Sequence, residues 1–215
     1  MKRAEAGGHL HTKMNWKTAL WVVMLCAANA AFTQDVATAE EQFWNKSYAD
    51  AEATSRKVLE SDSSNADAHY VLGMSLIEEG KTGEADQQIN AARDAGLALD
   101  KQKVMEGRAA IAKKQLPDAQ KLLTEAITEN PKNQAAYFYR GLAYASAGDY
   151  NKAVADLEKA TELEPTNFLA HYYAGVFCNR IKRPDKMVAH FERLVKLAPN
   201  SEEAQKAQAL LRSVR

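Results

Sequence analysis

Cysteine occurs twice in 215 residues, at Cys26 and Cys178, and there is no Cys-x-x-Cys pair. The chain also lacks His-Glu-x-x-His, a glycine-rich phosphate loop and a Gly-x-Ser-x-Gly elbow. No catalytic residue, metal ligand or small-molecule cofactor is therefore expected. Neither sign of charge dominates, with 28 basic and 28 acidic residues. No stretch is basic enough for a nucleic-acid footprint, and aromatic residues do not interleave with Lys/Arg runs as in single-strand binders. Proline and glycine are sparse, at 5 and 10, and no low-complexity tract interrupts the chain. With 46% apolar and 26% charged residues, the composition is that of an ordinary globular protein with ample material for a core.

The amino-terminal end differs from the rest. Lys2, Arg3, Lys13 and Lys17 outnumber the single acid Glu5, and no charged residue then occurs from Thr18 to Gln34. Within that gap Ala19 to Ala31 is apolar except for Asn29, and Ala28-Asn29-Ala30 supplies small residues. A basic start, a short apolar run and a small-residue site describe a secretory signal peptide over 1–30. The run is shorter than the roughly 20 apolar residues of a membrane span. A membrane anchor formed by residues 18–34 is the alternative, and membrane contact is expected only if the segment stays uncleaved. Met14 is a second possible start. Leu25 before Cys26 departs from a lipobox, where a small residue precedes the cysteine. Removal of 1–30 leaves 24 basic and 27 acidic residues and Cys178 alone, which excludes an intramolecular disulfide. Periplasmic or secreted localisation is the expectation.

Beyond that segment one spacing dominates. Gly73, Gly107, Gly141 and Gly175 lie 34 residues apart, as do Pro131, Pro165 and Pro199, and Ala51, Ala85, Ala119 and Ala153. A 34-residue period is the length of a helix–turn–helix unit that buries its apolar face by stacking on its neighbours. The clearest unit runs from Gln134 to Asn167, with Tyr137, Gly141, Tyr144, Ala153, Leu157, Ala160 and Pro165 at fixed spacing. Gly141 and Ala153 are small where two helices cross. Pro165 stops the second helix, and Asn167 caps the next. These seven positions resemble the tetratricopeptide repeat pattern. The resemblance implies an all-α, right-handed α-solenoid of antiparallel helix pairs. Its units are an incomplete first repeat over 31–65, full repeats over 66–99, 100–133, 134–167 and 168–201, and a capping helix over 202–215. Turns are expected near Gly80, Lys114, Gly148 and Lys182. Lys103 and Glu106 make the first helix of the 100–133 unit the expected least buried. Met187 and Leu194 replace small alanines, so looser or shifted packing is expected there.

In this family the first helix of each unit lines an inner groove. Carrying those positions over gives a groove of Tyr70, Met74, Lys101, Arg108, Phe138, Leu142, Tyr172 and Val176, flanked by Ile77, Val104, Ile111, Ala145, Leu169 and Asn179. The groove is mainly apolar and aromatic, with Lys101 and Arg108 as its cations, and Arg108 is expected to meet an acidic or C-terminal group of a partner. The Lys/Asn/Arg set with which some relatives clamp a C-terminal carboxylate is not reproduced. His69 and His171 share a repeat position and are expected to be structural, and His190 has no partner of ligand type at the right spacing along its helix. Cys178 is expected to behave as a small buried apolar residue. Asp156 and Glu158 are expected on a solvated face. The function implied is an exported, non-catalytic scaffold that binds a peptide segment or protein partner. A self-associating structural subunit of a cell-envelope assembly is the alternative. Amino-terminal sequencing of exported material is expected to start at or near Ala31; an intact 18–30 segment in a membrane fraction would instead identify an anchor.

Overall fold

A computed structural model describes residues 33–213 of the chain. The signal segment over 1–30 lies outside the described residues. A helix covers 33–44 (α1). It is followed by α2 (Tyr48–Ser61), α3 (Ala66–Glu78), α4 (Thr82–Asp94), α5 (Leu99–Ala112), α6 (Leu116–Glu129), α7 (Gln134–Ser146), α8 (Tyr150–Leu163), α9 (Phe168–Arg180), α10 (Pro184–Leu197) and α11 (Glu202–Ser213). No strand occurs among the described residues. Each helix packs on the next, so the chain is an all-helical solenoid of antiparallel pairs. The second helices of the pairs start at 48, 82, 116, 150 and 184, in strict 34-residue phase. The first pair, α1 with α2, keeps this phase, with Ala39 and Ala51 buried where later units place Gly73 and Ala85.

The turn between the helices of a pair repeats with equal regularity. Lys46, Gly80, Lys114, Gly148 and Lys182 all have positive φ, between 58° and 86°. Each ends its helix in the left-handed region. The following N–H then returns to a carbonyl five residues back, as in Lys81 N to Leu76 O, Asp149 N to Tyr144 O and Arg183 N to Cys178 O, each 2.9 Å. This is the Schellman closure, which satisfies carbonyls orphaned at the helix end. At the other joint Asn65, Asn133 and Asn167 accept from the N–H of Ala68, Ala136 and Ala170, each at 3.0 Å, and Ser201 accepts from Ala204 at 3.1 Å. These side chains cap the incoming first helices.

Small residues set the distance between paired helices. A Cβ placed on Gly141 would lie 2.9 Å from Leu157 Cγ and 3.2 Å from the Ala153 carbonyl oxygen. Gly107 faces Leu123, and Gly175 faces Phe191, again sixteen residues on. Gly73 departs from this rule and meets Met105 of the next unit. Ala85, Ala119 and Ala153 on the second helices are fully buried.

α5 buries five residues, as α7 does, against eight in α3 and six in α9, so it ties with α7 as the least buried first helix of the full units. Lys103 pairs with Glu106 and Glu125, and Glu106 with Arg93, so the charges lie across the helix boundaries in partly buried ion pairs. Met187 and Leu194 are fully buried, so the last unit encloses its larger side chains.

Two glycines separate packing from backbone conformation. Gly141→Leu is expected to destabilise by about 1–3 kcal/mol through overpacking, although leucine is the better helix former. Gly148→Ala meets nothing within 4 Å at its new Cβ but sits at φ +86°. It is expected to lose roughly 1–2 kcal/mol from the left-handed backbone alone. Urea denaturation of both variants checks this; an unchanged midpoint for Gly141→Leu would show that the crossing is not tight.

Candidate partner-binding groove and a buried polar cluster

The first helices of successive pairs carry the predicted groove residues, but the chain itself fills part of the space between them. Phe43 and Trp44 at the end of α1, and Tyr48 at the start of α2, lie against later units. Trp44 meets Phe138 edge-on at 5.5 Å between ring centroids and lies 6.3 Å from Tyr139. Phe138 in turn contacts Tyr139 and Tyr173. A small cavity of about 120 Å³ remains here, walled by Phe43, Trp44, Tyr48, Arg108, Leu142 and Tyr173 among others. Burial raises the phenol pKa of Tyr48, Tyr139 and Tyr173, so all three stay neutral donors. Lys46, in the first turn, reaches Glu203 of α11 at 2.5 Å. The first unit thus touches the last.

This arrangement sorts the predicted groove residues. Met74 and Phe138 are buried in the core, as are the flanking Ile77, Val104 and Leu169. Arg108 is not a free cation: its Nε donates to Glu78 at 2.7 Å and its guanidinium lies 5.8 Å from the Tyr139 ring centroid. Lys101 pairs with Asp67 at 2.6 Å and Glu40 at 3.7 Å, and lies over the Tyr70 ring. Tyr70, Leu142, Tyr172 and Val176 are half-buried.

Beside α1 the inner face stays open. A cleft of about 250 Å³ is lined by Glu40, Trp44, Tyr70, Lys101, Asn133 and Gln134, among others. A second, of about 540 Å³, shares Glu40, Trp44 and Gln134 and extends to Asn167 and Phe168. A third, of about 420 Å³, shares Glu40 and Lys101 and reaches Asp62, Asn65 and Asp67. These adjoining clefts follow one side of α1. The side-chain nitrogen of Gln134 is buried without a hydrogen-bond partner among the described residues.

The histidines are not isolated. His69 joins Gln88 of α4 through Nδ1 at 2.7 Å and the Ser63 carbonyl through Nε2 at 3.1 Å. Three units later, His171 repeats the arrangement with His190 of α10 at 3.1 Å and the Pro165 carbonyl at 3.3 Å. His190 Nε2 in turn lies 3.9 Å from Glu158 of α8. The buried Cys178 of α9 completes a group in which one donor atom each of Glu158, Cys178 and His190 lies within 4.8 Å of the others. Burial pushes the His171 pKa down to about 4, lowers that of His190, and pushes the Cys178 thiol up to about 11. Glu158 is held by Lys186 at 2.6 Å. The solvated-face expectation fails for Asp156, which is buried and accepts two hydrogen bonds from Arg140, at 2.7 and 2.8 Å. The cluster draws on three helices of two units, so no spacing along one helix signals it. The one trace in the sequence is the shared repeat position of His69 and His171.

Comparison with known proteins agrees with this architecture. Two family models, each described as tetratricopeptide repeat, match residues 104–167 and 144–211. The Hsp70-Hsp90 organizing protein 1 of Glycine max is 29% identical over 100 residues, 42% of this chain. The Hsp70-Hsp90 organizing protein 2 of Arabidopsis thaliana is 30% identical over a similar span. The matched region spans 18% of the length of either relative. Among solved structures, TTC0263 from Thermus thermophilus, described as a thermophilic TPR protein, superposes with a TM-score of 0.67 at 21% identity, covering 84% of this chain and 99% of that one. YrrB, described as a TPR protein with an unusual peptide-binding site, gives 0.52 at 24% identity, covering 81% and 90%. The 34-residue phase, the recurring left-handed turn and these matches agree, and the chain belongs to the tetratricopeptide repeat family.

Proposed function

We propose that this protein is a scaffold that holds an extended segment of a partner protein in the clefts beside α1. The observation that carries this reading is the run of adjoining clefts along α1, from Asp67 past Tyr70, Lys101 and Gln134 to Phe168. An extended chain needs such an elongated surface with alternating apolar and polar contacts. Trp44, Tyr70 and Phe168 offer aromatic surface, and Gln134 offers a side-chain nitrogen with no hydrogen-bond partner among the described residues. Large aromatics are among the residues that dominate binding energy at interfaces. The peptide-binding site in YrrB's description is a property of that protein, and it supports this class of function by analogy alone.

Of the predicted groove residues, Tyr70 and Lys101 face this surface, whereas Met74, Arg108 and Phe138 serve the fold. The reading extends to an exported scaffold without catalysis, supported by the basic and apolar start of the chain.

Photo-crosslinkers at Tyr70 and Gln134, with exposed Lys121 on α6 as the control, identify the partner and the face it uses. Tyr70→Ala combined with Lys101→Glu is then expected to weaken the captured partner by about 2 kcal/mol, roughly 30-fold. Crosslinks that arise equally from Lys121, or unchanged affinity in the double variant, would overturn the cleft as the binding face. Crosslinking chiefly to a second copy of the chain would favour self-association instead.

A further inference from the structure

We propose that Glu158, Cys178 and His190 form a binding site for a single zinc-class divalent cation between α8, α9 and α10. The donors are a carboxylate, a thiol and an imidazole, the set from which zinc sites are built. Their donor atoms lie within 4.8 Å of one another. Zinc bonds of about 2.0–2.3 Å at a tetrahedral centre put ligand atoms roughly 3.3–3.8 Å apart. A contraction of about 1 Å therefore closes the site, and a water fills the fourth position on the partly exposed side of Glu158.

The hydrogen-bond network orients the imidazole for this role. The Pro165 carbonyl accepts from His171 Nε2, so the proton of a neutral His171 sits on that nitrogen and Nδ1 is bare. His190 Nδ1 lies 3.1 Å from it and supplies the proton of that bond. Nε2 of His190 is then bare, and it is the nitrogen nearer to Glu158. Metal-ligating histidines are held in this way by a second group on the opposite nitrogen. His171 is a positioning residue.

The second unit is an internal control. There His69 makes the equivalent two contacts, to a loop carbonyl and to helix α4, with the Gln88 side-chain amide in place of the His190 ring. Arg56 and Leu76 stand where the last units have Glu158 and Cys178. The bridge is complete with glutamine, so a histidine at 190 is not required by the fold. Lys186 is the cation now paired with Glu158. Its side chain is 42% exposed, which allows it to swing into solvent when a metal takes its place.

The test uses the full chain in a Cys26→Ala background, which leaves Cys178 as the sole thiol, after reduction and removal of bound metal by a chelator. Titration with Zn²⁺ against a chromophoric chelator is expected to give one equivalent bound. Co²⁺ is expected to show thiolate-to-metal charge-transfer absorption. Cys178→Ala should abolish that band and weaken Zn²⁺ binding by more than about 100-fold, beyond the effect of an outer-shell change. His190→Gln, which copies the second unit, should retain the fold by circular dichroism and lose comparable affinity. His171→Gln should weaken binding by about 10–100-fold. Lys186→Gln should bind Zn²⁺ more tightly, because the competing cation is gone. Absence of Zn²⁺ binding at micromolar metal, equal affinity in the folded His190→Gln variant, or a Co²⁺ spectrum without the thiolate band would each overturn the proposal.

Discussion

The close approach of paired helices at a residue with no side chain is the constraint on which the architecture depends. Where Gly141 faces Leu157, a methyl group would already sit 2.9 Å from a neighbouring carbon. That contact fixes the separation of α7 and α8, and the separation fixes the turn that joins them. A left-handed residue then closes the first helix, and two residues later the second begins. The same sequence of events recurs at Lys46, Gly80, Lys114, Gly148 and Lys182. At three of these positions lysine occupies a conformation that favours glycine. The geometry is therefore imposed by packing of the pair and not by the preference of the turn residue.

Much of this was legible because it is local. Asn133 and Asn167 stand after prolines at the end of a helix, and their caps form as the pattern implies. The turns at Lys114 and Lys182 follow from the phase of Gly80 and Gly148. What the pattern does not encode is how far the array curves, since small rotations accumulate over several units. Trp44 of the first unit accordingly meets Phe138 almost a hundred positions later, a contact that no spacing signals. Met74, Arg108 and Phe138 matched groove positions by phase, but burial and pairing depend on what lies across the groove. The cluster of Glu158, Cys178 and His190 escaped for a related reason. Its members belong to different helices, and each taken alone has an ordinary structural explanation.

Repetition makes divergence informative. Where two units share a device, the differences between them isolate residues that the fold does not need. His69 with Gln88 and His171 with His190 are such a pair. The fold-preserving version uses an amide, whereas the other adds a second imidazole next to a carboxylate and a thiol. The inner face shows the same economy. Arg108 and Lys101 share the first-helix face, but one is locked to Glu78 and Tyr139 while the other lies at the edge of the open clefts.

The contact between Lys46 and Glu203 spans 157 residues. In an open solenoid each unit feels only its neighbours, so unfolding can begin at an end and spread unit by unit. Here Lys46, in the first turn, holds Glu203 of α11, and Trp44 of α1 lies on Phe138 and Tyr139. Fraying of α1 exposes Phe138 and Tyr139 in the fourth unit and unpairs Glu203 in the last helix. Long-range contacts of this kind raise contact order and couple the two ends of the array. A chain built from local repeats thereby gains a non-local tie between its first turn and its last helix.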